Sequence, residues 1–426
     1  MRERLSICYA APGHSLVPTS GTTRNILSLA EALTPWADVT VAFRDVPDAS
    51  VKLSAGLSLE SIENRNLKQG PRVDDEAGRG VNPLSHFLYM RTVGEFARRT
   101  AGRFDLVLEK GWRLSGYLAH CVEKSGGAGA VVENDARCWT DSRMDPRTML
   151  KWLLHSAAQR LAGRYSAKSL VVIAETEELR QQLHSVRRIP LDKIKVVPLG
   201  VNHSLFRPAD QESARAQLDI AFGRTILLYV GGMDKYHDLL PLLDALQGLS
   251  LPELELHIVG EGEYRPRYQA AAEKIQSRVV FHGRVPHGRV PLYIAASDLC
   301  VAPYCAEAFY DQTVSFSTLK IPEYMACARP VASIPSGEIK RLIQPGISGF
   351  LFPNSAPGWR TFLHSCPDRD TLRGMGQAAW KAVEHRTWEQ TARGYLNAVA
   401  ECGTPVLSRV SLSAEWDFRT AVRNSK

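Results

Sequence analysis

Short apolar runs alternate with amphipathic stretches along the first half of the chain. The runs are bounded by glycine, proline or small polar residues, a pattern typical of buried strands, and they lie at 5–10, 38–43, 105–108, 130–133 and 170–174. Between them, apolar residues recur at spacings of three and four, which predicts helices at 22–33, 84–99, 115–123 and 148–167. This alternation predicts a parallel sheet covered by helices.

The same alternation starts again after a linker at 202–208. A predicted strand at 194–201 leaves the first half and leads into this linker. The predicted strands after it are 225–230, 254–259, 279–281, 298–301 and 330–334, and the predicted helices are 239–247, 321–327 and much of 370–400. A chain of 426 residues exceeds the size at which single cores stop growing. We therefore predict an α/β protein of two domains, 1–204 and 205–384, and expect 385–426 to hold a helix that returns to the first domain, and a tail.

Composition narrows the class of protein. Hydrophobic residues make up 44% and charged residues 23%, as in ordinary globular enzymes. We expect neither a signal peptide nor a transmembrane helix, because no apolar run reaches the required length. The eight cysteines are scattered without a C-x-x-C pair, which indicates buried thiols in a reducing compartment. A cytoplasmic location follows as an expectation.

The net charge of +7 is concentrated in the first half, where 28 Lys/Arg against 22 Asp/Glu in residues 1–205 leave +6. Segment 137–168 holds seven basic residues and two acidic ones, and its helix also carries Met149, Trp152, Leu153 and Leu161. One hypothesis is that this helix rests on an anionic membrane or binds a lipid-linked diphosphate. The alternative is a solvated basic face with the apolar residues in the core. Local positive charge without a known nucleic-acid-binding motif does not predict a nucleic-acid partner.

Two strand–glycine–helix arrangements suit an anion. The loop APGHSLVPTSG ends at Gly21, and GGMDKYHD (231–238) follows a strand and carries Lys235 and His237. Backbone N–H groups at such a turn point at bound phosphate, and a nearby cation suits a pyrophosphate. A plain turn remains the alternative for Gly21.

Further polar side chains follow predicted strands, at the sheet edge where ligands bind in parallel α/β folds. Segment 301–334 predicts a strand, a loop, a helix and a strand, with short hydroxyls followed by Lys320 and Glu323. Glu133 and Asp135 follow another strand. These two carboxylates would orient a sugar hydroxyl or act as a base, or else cap the next helix.

Taken together, the second half resembles the retaining glycosyltransferases of family 4 (glycosyl transferases group 1), which have the GT-B fold. The matching pieces, in the family's order, are LLYVGGMDKYHDLLPLLDAL (227–246), LELHIVGEGEY (254–264), VVFHGRV (279–285), LYIAASDLCVAPY (292–304), LKIPEYMACARPVAS (319–333) and IKRLIQPGISGFLFP (339–353). PLGVNHSLFRP (198–208) and SGTTRNILSLAEAL (20–33) resemble the family's linker and its glycine loop with the first helix. The resemblance implies two Rossmann-like domains whose parallel sheets face each other across a cleft.

The resemblance also implies an activity. It is the metal-independent, retaining transfer of a sugar from a nucleotide-diphosphate donor to a hydroxyl on a glycan, a lipid-linked acceptor or a small molecule, as in polysaccharide biosynthesis. No cofactor is implied, and peripheral contact with the inner membrane face fits a lipid-linked acceptor. The competing hypotheses are another enzyme on this fold, such as a nucleotide-sugar epimerase or a phosphorylase, and a non-catalytic nucleotide-binding relative.

Residues of the family's site can be placed by position. The implied donor-binding residues are Gly21, Gly231, Gly232, Gly260, Ser315, Phe316, Ser317, Thr318, Leu319, Lys320 and Glu323. Glu323 falls on the glutamate that hydrogen-bonds the nucleotide ribose, and Lys320 lies near the phosphates or sugar. The family's earlier glutamate falls on Ser315, so either this serine replaces it or Glu307 swings in.

Departures also occur at the other implied positions. Gly232 stands where the family's diphosphate-clamp arginine is usual, and His237 with Asp238 replaces its lysine–glycine pair, so we expect Lys235 and His237 to share the phosphate role. The implied catalytic residues are Lys235, His237 and Asp135. The implied acceptor-side residues are His14 and Glu133, and the frequent histidine near these positions is absent.

Overall fold

A computed structural model describes residues 4–18, 20–46, 53–63, 83–136, 146–275 and 278–403. Part of the predicted basic segment, residues 137–145, lies outside the described residues, as does the predicted tail from 404 onward. Within the described part, no helix is long and apolar enough to cross a bilayer.

Strands and helices alternate along most of the described residues, except that β3 follows β2 directly and the last three helices follow one another. The strands are β1 Leu5–Ala11, β2 Ala37–Phe43, β3 Leu57–Ser61, β4 Leu106–Lys110, β5 Gly129–Glu133, β6 Val172–Ala174, β7 Ile194–Val196, β8 Thr225–Val230, β9 Leu254–Val259, β10 Arg278–Gly283, β11 Leu299–Ala302, β12 Val331–Ser333 and β13 Gly349–Leu351. The helices are α1 Gly21–Leu33, α2 Pro83–Thr100, α3 Tyr117–Lys124, α4 Pro146–Ser166, α5 Glu177–Arg187, α6 Gln211–Leu218, α7 Leu240–Gln247, α8 Arg265–Ala272, α9 Val290–Ala296, α10 Lys320–Ala326, α11 Ile339–Leu342, α12 Ala356–His364, α13 Arg369–Val383 and α14 Trp388–Ala400.

These elements form two compact units. The first comprises Met1–Gly200 and Trp388–Lys426, and the second Val201–Thr387. Each unit has one sheet, and all strand pairs in both are parallel. Among the described residues, the strand orders are β3-β2-β1-β4-β5-β6-β7 and β10-β9-β8-β11-β12-β13. The predicted α/β class with two parallel sheets is confirmed.

The first unit shows why its sequence adopts these elements. Every residue of β1 is buried, as expected for a central parallel strand covered by helices on both faces. Helix α1 begins after Ser20, whose Oγ accepts from the Thr22 N–H at 3.2 Å, and it buries Ile26 and Leu29 against the sheet. Helix α14 packs against α1 in this unit.

The second sheet changes direction beside its central strand. From β8 the chain proceeds to β9 and β10 on one side, and β11 to β13 then lie on the other side. The crevice outside the carboxyl ends of β8 and β11 is therefore the point where open α/β sheets bind ligands. In the first unit, β1 has the corresponding place between β2 and β4.

Some predicted boundaries were wrong and several elements were missed, among them the helices α6, α8, α9 and α12. The predicted strand 194–201 ends at Val196. The sequence pattern did not predict β3, an edge strand of mixed polarity, or α5, whose sequence EELRQQLHSVR has few apolar residues. Helix α5 depends instead on its cap, because Thr176 Oγ1 accepts from the Leu179 N–H at 3.1 Å.

Candidate active site

In the second unit, two loops meet at the carboxyl ends of β8 and β11. We call residues 231–238 the glycine turn and residues 303–319 the β11–α10 loop. The Asp238 N–H donates to the Pro303 carbonyl and the Cys305 N–H to the Tyr236 carbonyl, both at 3.0 Å. These backbone bonds join the two loops into one surface, so residues 65 and 69 positions apart in sequence become neighbours.

Glycine is required at the start of the glycine turn and in the neighbouring turn after β9. Gly231 and Gly260 have φ values of +154° and +134°, which side chains rarely adopt. A Cβ on Gly260 would overlap the Gly231 carbonyl, and one on Gly231 would lie 2.6 Å from Lys320 Nζ. The missing side chain of Gly231 therefore leaves the place that the Lys320 ammonium occupies.

Lys320 is the cation that the structure brings to the glycine turn. Its Nζ lies 4.8 Å from the centroid of the Tyr229 ring and 5.4 Å from that of Tyr304, both within the range of cation–π attraction. Burial lowers the pKa of Lys320 to about 7, although Asp234 and Glu323 act in the opposite direction. A bound anion would favour the charged form of this lysine.

His237 is held as a neutral side chain. Burial, and then the charge of Lys320, lower its pKa to about 4. Its Nδ1 lies 2.9 Å from Asp234 Oδ1. Burial, the largest single influence, would raise the pKa of Asp234, but the hydrogen bonds from His237 and the Tyr236 N–H, together with nearby positive charge, hold this pKa below its usual range. Since the carboxylate is ionised, His237 Nδ1 carries the proton and Nε2 carries a lone pair.

The other predicted cation, Lys235, lies in the same turn at an exposed position. Its Nζ lies 4.9 Å from the centroid of the neighbouring Tyr236 ring. Neutral His237 would act on a phosphate through a hydrogen bond, and the role that it is expected to share with Lys235 stays a prediction.

The β11–α10 loop places its predicted residues in different surroundings. Ser315, Ser317 and Thr318 are buried, and the Ser317 hydroxyl donates to Glu338 Oε2 at 2.8 Å. Glu307 is exposed. At the other end of the loop, Glu323 and Lys320 lie in the first turn of α10.

Aromatic rings form the rest of this loop. The ring of Phe309 lies 5.2 Å from that of Tyr236 in the glycine turn and 5.6 Å from that of Phe316. Tyr304 contacts Phe316 with a centroid distance of 6.1 Å. Rings from both loops therefore pack together and hold the surface around Lys320.

In the first unit, Gly21 is exposed at the first residue of α1 with open space where a Cβ would be. His14 lies in the loop after β1, and its carbonyl accepts from the Arg44 N–H at 2.9 Å. Asp135 is exposed in the loop after β5. These positions are compatible with the expected contacts, which stay predictions.

Glu133 requires a correction. Its carboxylate is buried and forms an ion pair with Arg187, which is also buried. Arg187 Nε donates to Gln159 Oε1 at 2.7 Å, and its Nη2 lies 3.4 Å from the carbonyl oxygens of Asp135 and Ala136. Glu133 thus neutralises a cation that supports the loop after β5, and its burial in this ion pair contradicts the expected contact with an acceptor.

Sequence reasoning missed four side chains, three beside Lys320 and His237 in the second unit and one in the first unit. Asp234 orients His237, and its position three residues earlier in the same turn was the available signal. Tyr229 and Tyr304 contact Lys320 across the two loops, and no local pattern distinguishes them from core tyrosines. Glu109 accepts from the N–H groups of Gly116 and Ala119 at the start of α3, and burial raises its pKa to about 8.

Known proteins share parts of this sequence and its fold. Residues 224–360 match the model of the family Glycosyl transferases group 1. Over 392 residues the chain is 27% identical to D-inositol 3-phosphate glycosyltransferase from Thermobispora bispora, covering 86% of this chain and 84% of that protein. The chain is a glycosyltransferase with the GT-B fold.

Other relatives extend the likeness over different lengths. The enzyme is 30% identical over 263 residues to D-inositol 3-phosphate glycosyltransferase from Nocardia farcinica, covering 59% of this chain and 54% of the relative. Its fold resembles sucrose-phosphate synthase from Thermosynechococcus elongatus, with a TM-score of 0.71, 19% identity, and coverage of 94% and 100% of the two chains. Anabaena HepE in complex with UDP-glucose matches with a TM-score of 0.67 and 16% identity over 93% and 99%.

Proposed function

We propose that this glycosyltransferase is a retaining enzyme that transfers a sugar from a nucleoside-diphosphate donor to a hydroxyl acceptor without a metal ion. The observation that carries the proposal is the contact of Lys320 with Gly231, at the carboxyl ends of β8 and β11. A diphosphate fits there because glycines without side chains let it approach the backbone closely, and the ammonium supplies charge. HepE, a structural neighbour, is described with UDP-glucose, so UDP-sugars are the first donors to test.

In the proposed reaction, the bond between the sugar C1 and the diphosphate oxygen breaks as the acceptor oxygen bonds to C1 on the same face. The acceptor proton passes to the departing phosphate oxygen, which balances the step. Lys320 stabilises the charge that develops on the diphosphate. Neutral His237 accepts a hydrogen bond from a donor hydroxyl through Nε2, and Glu323 accepts from the ribose.

Metal independence is proposed from the side chains that could serve as metal ligands. Among the described residues, no three His, Cys, Asp or Glu side chains come together in a way that could hold a metal ion. A cationic side chain beside backbone N–H groups can instead neutralise the leaving group. Activity measured in excess EDTA tests this part of the proposal, and its loss with recovery on adding Mg²⁺ or Mn²⁺ would refute it.

The acceptor is proposed from the relatives. Proteins similar to this chain are described as D-inositol 3-phosphate glycosyltransferases, so D-inositol 3-phosphate is the first small acceptor to test, beside glycans and a polyprenyl-phosphate-linked sugar.

The decisive experiment combines binding and transfer. Purified enzyme is screened with UDP-, GDP- and ADP-sugars for a rise in melting temperature, because a bound donor stabilises the folded state. Transfer is then followed with the acceptor panel, and the product's anomeric configuration is determined by NMR. We expect retention, and we expect Glu323→Gln and Lys320→Met to lose activity while exposed Lys381→Met keeps it.

Three results would redirect the proposal. Interconversion of one nucleotide sugar into another without an acceptor would indicate an epimerase, and phosphate-dependent glycan cleavage would indicate a phosphorylase. Tight nucleotide binding with no turnover would indicate a non-catalytic relative.

We also propose that helix α4 contacts an anionic membrane surface. In its first half, the exposed fractions of Leu150, Leu153 and Leu154 are 58%, 51% and 60%. No Asp or Glu occurs between residues 146 and 174, whereas Lys151, Arg160, Arg164 and Lys168 do. Exposed apolar groups beside basic ones suit an interface of anionic lipids.

Vesicle co-sedimentation tests this contact. We expect binding to phosphatidylcholine vesicles that contain phosphatidylglycerol, weakening as salt screens the charges, and no binding to pure phosphatidylcholine. Leu150→Ser with Leu153→Ser should abolish binding, while Phe222→Ser, also exposed (54%) but in the second unit, should not. Absence of binding at low salt would refute the contact.

A further inference from the structure

A buried polar cluster lies behind the β11–α10 loop. The Ser317 hydroxyl donates to Glu338 Oε2 at 2.8 Å. Arg386 Nη2 donates to both of these side chains, at 3.0 Å to Ser317 Oγ and 2.8 Å to Glu338 Oε1. Side-chain exposure is only 13% for Arg386 and 7% for Glu338, so these charge-assisted bonds are largely shielded from water.

The residues just before Glu338, Ser336 and Gly337, hold the β11–α10 loop at a second point. Ser336 Oγ accepts from the Val314 N–H at 2.9 Å. Gly337 has a φ of +53°, and a Cβ there would overlap the Val314 carbonyl. The loop is therefore fixed on both sides of Phe316, at Val314 and Ser317, immediately before Lys320 begins α10.

Arg386 lies next to the last residue of the second unit in sequence. Its carbonyl accepts from the Val201 N–H at 2.9 Å, and Val201 pairs with Thr387 in an isolated bridge. Val201 and Thr387 are the first and last residues of the unit. The guanidinium that supports the loop is thus anchored where the chain enters and leaves this unit.

We propose that Arg386 is a positioning residue for the donor site, acting through Ser317 and Glu338 to set the backbone of the β11–α10 loop. The inference rests on the proposed function, because the loop is proposed to bind the donor. Arg386 itself touches no substrate. Without its guanidinium, the Glu338 carboxylate would be buried without its cation and would turn toward water, leaving Ser317 without both of its present partners.

The test compares two buried ion pairs of the second unit. Arg215 pairs with Asp298 at 2.7 Å, with exposures of 0% and 3%, and Asp298 precedes β11 at the end opposite the loop. Wild type, Arg386→Gln, Arg386→Lys and Arg215→Gln are assayed for melting temperature, donor KM and kcat. We expect both glutamine variants to lower the melting temperature. Of the two glutamine variants, only Arg386→Gln should raise the KM for the nucleotide sugar, by about tenfold or more. Arg386→Lys keeps a charged hydrogen-bonding side chain, so its KM should lie close to that of wild type.

A second variant covers a failure of Arg386→Gln to fold. Ser317→Ala leaves the pair of Arg386 and Glu338 in place but releases the loop, and it should raise the donor KM with little change in melting temperature. A donor KM within twofold of wild type in Arg386→Gln or, failing that, in Ser317→Ala would overturn the inference. An equal rise in Arg215→Gln would also do so. If wild type binds no nucleotide sugar, the proposed function fails first and this inference fails with it.

Discussion

Replacing Lys320 by methionine tests the centre of the proposed site, because the change removes the charge and keeps a similar length. An ammonium that bonds to a diphosphate contributes about 1.5–3 kcal/mol, so kcat/KM should fall by about 10- to 150-fold. Lys320 also has a pKa of about 7, so in wild type kcat/KM should decline as pH rises above 7 and the free enzyme loses this proton. That decline should be absent from Lys320→Met.

The same variant should be more stable than wild type at low pH. The unfolded lysine keeps its ordinary pKa of 10.5, whereas folding lowers it to about 7, so the folded state bears the full cost of the buried charge below pH 7. This cost declines as pH rises from 7 to 10.5, where both states become neutral. The shift corresponds to at most about 5 kcal/mol, which partial exposure to solvent reduces to about 1–2 kcal/mol.

Thermal unfolding at pH 6 and pH 10, together with a kcat/KM profile over pH 5.5–9, measures both effects. At pH 6 the melting temperature of Lys320→Met should exceed that of wild type by a few degrees, with little difference at pH 10. Lys381→Met, an exposed lysine of the same unit, should match wild type throughout. An unchanged kcat/KM, or a variant that keeps the decline above pH 7, would refute the role given to Lys320.

Three further predictions concern stability. Arg187→Met should destabilise the first unit by about 3–5 kcal/mol in urea unfolding, because Glu133 would stay buried without its cation, and the added change Glu133→Leu should restore much of this loss. Gly260→Ala should lower the melting temperature markedly because of its positive φ and the overlap with the Gly231 carbonyl, whereas Gly374→Ala, in α13 with open space around it, should be neutral or stabilising. Burial raises the pKa of Glu109 to about 8 from 4.5, so the free energy of unfolding should fall as pH rises from 4.5 to 8. Glu109→Gln should flatten the dependence of the unfolding free energy on pH over this range. An unchanged slope in the variant would contradict the raised pKa.

Much of the fold could be predicted because each strand and helix carries its own periodicity. Helix α1 was predicted from 22–33 and lies at Gly21–Leu33, and β8 was predicted with its bounds at 225–230. Local signals failed where an element depends on its neighbours. The edge strand β3 is ordered by pairing with β2. Its five residues, LSLES, do not show by themselves that this pairing occurs.

By itself, the sequence determined the parallel α/β architecture, the glycine turn and the presence of polar residues after β8 and β11, because these depend on periodicity and on residues with special backbone conformations. Only the tertiary structure decided which charged groups pair, which are protonated and which are accessible. Lys320 meets Tyr229 across 91 residues, and Arg187 neutralises Glu133 across 54. Burial and such distant partners set protonation and accessibility. For that reason Lys320 brings a positive charge to Gly231, whereas His237 in the same surroundings stays neutral.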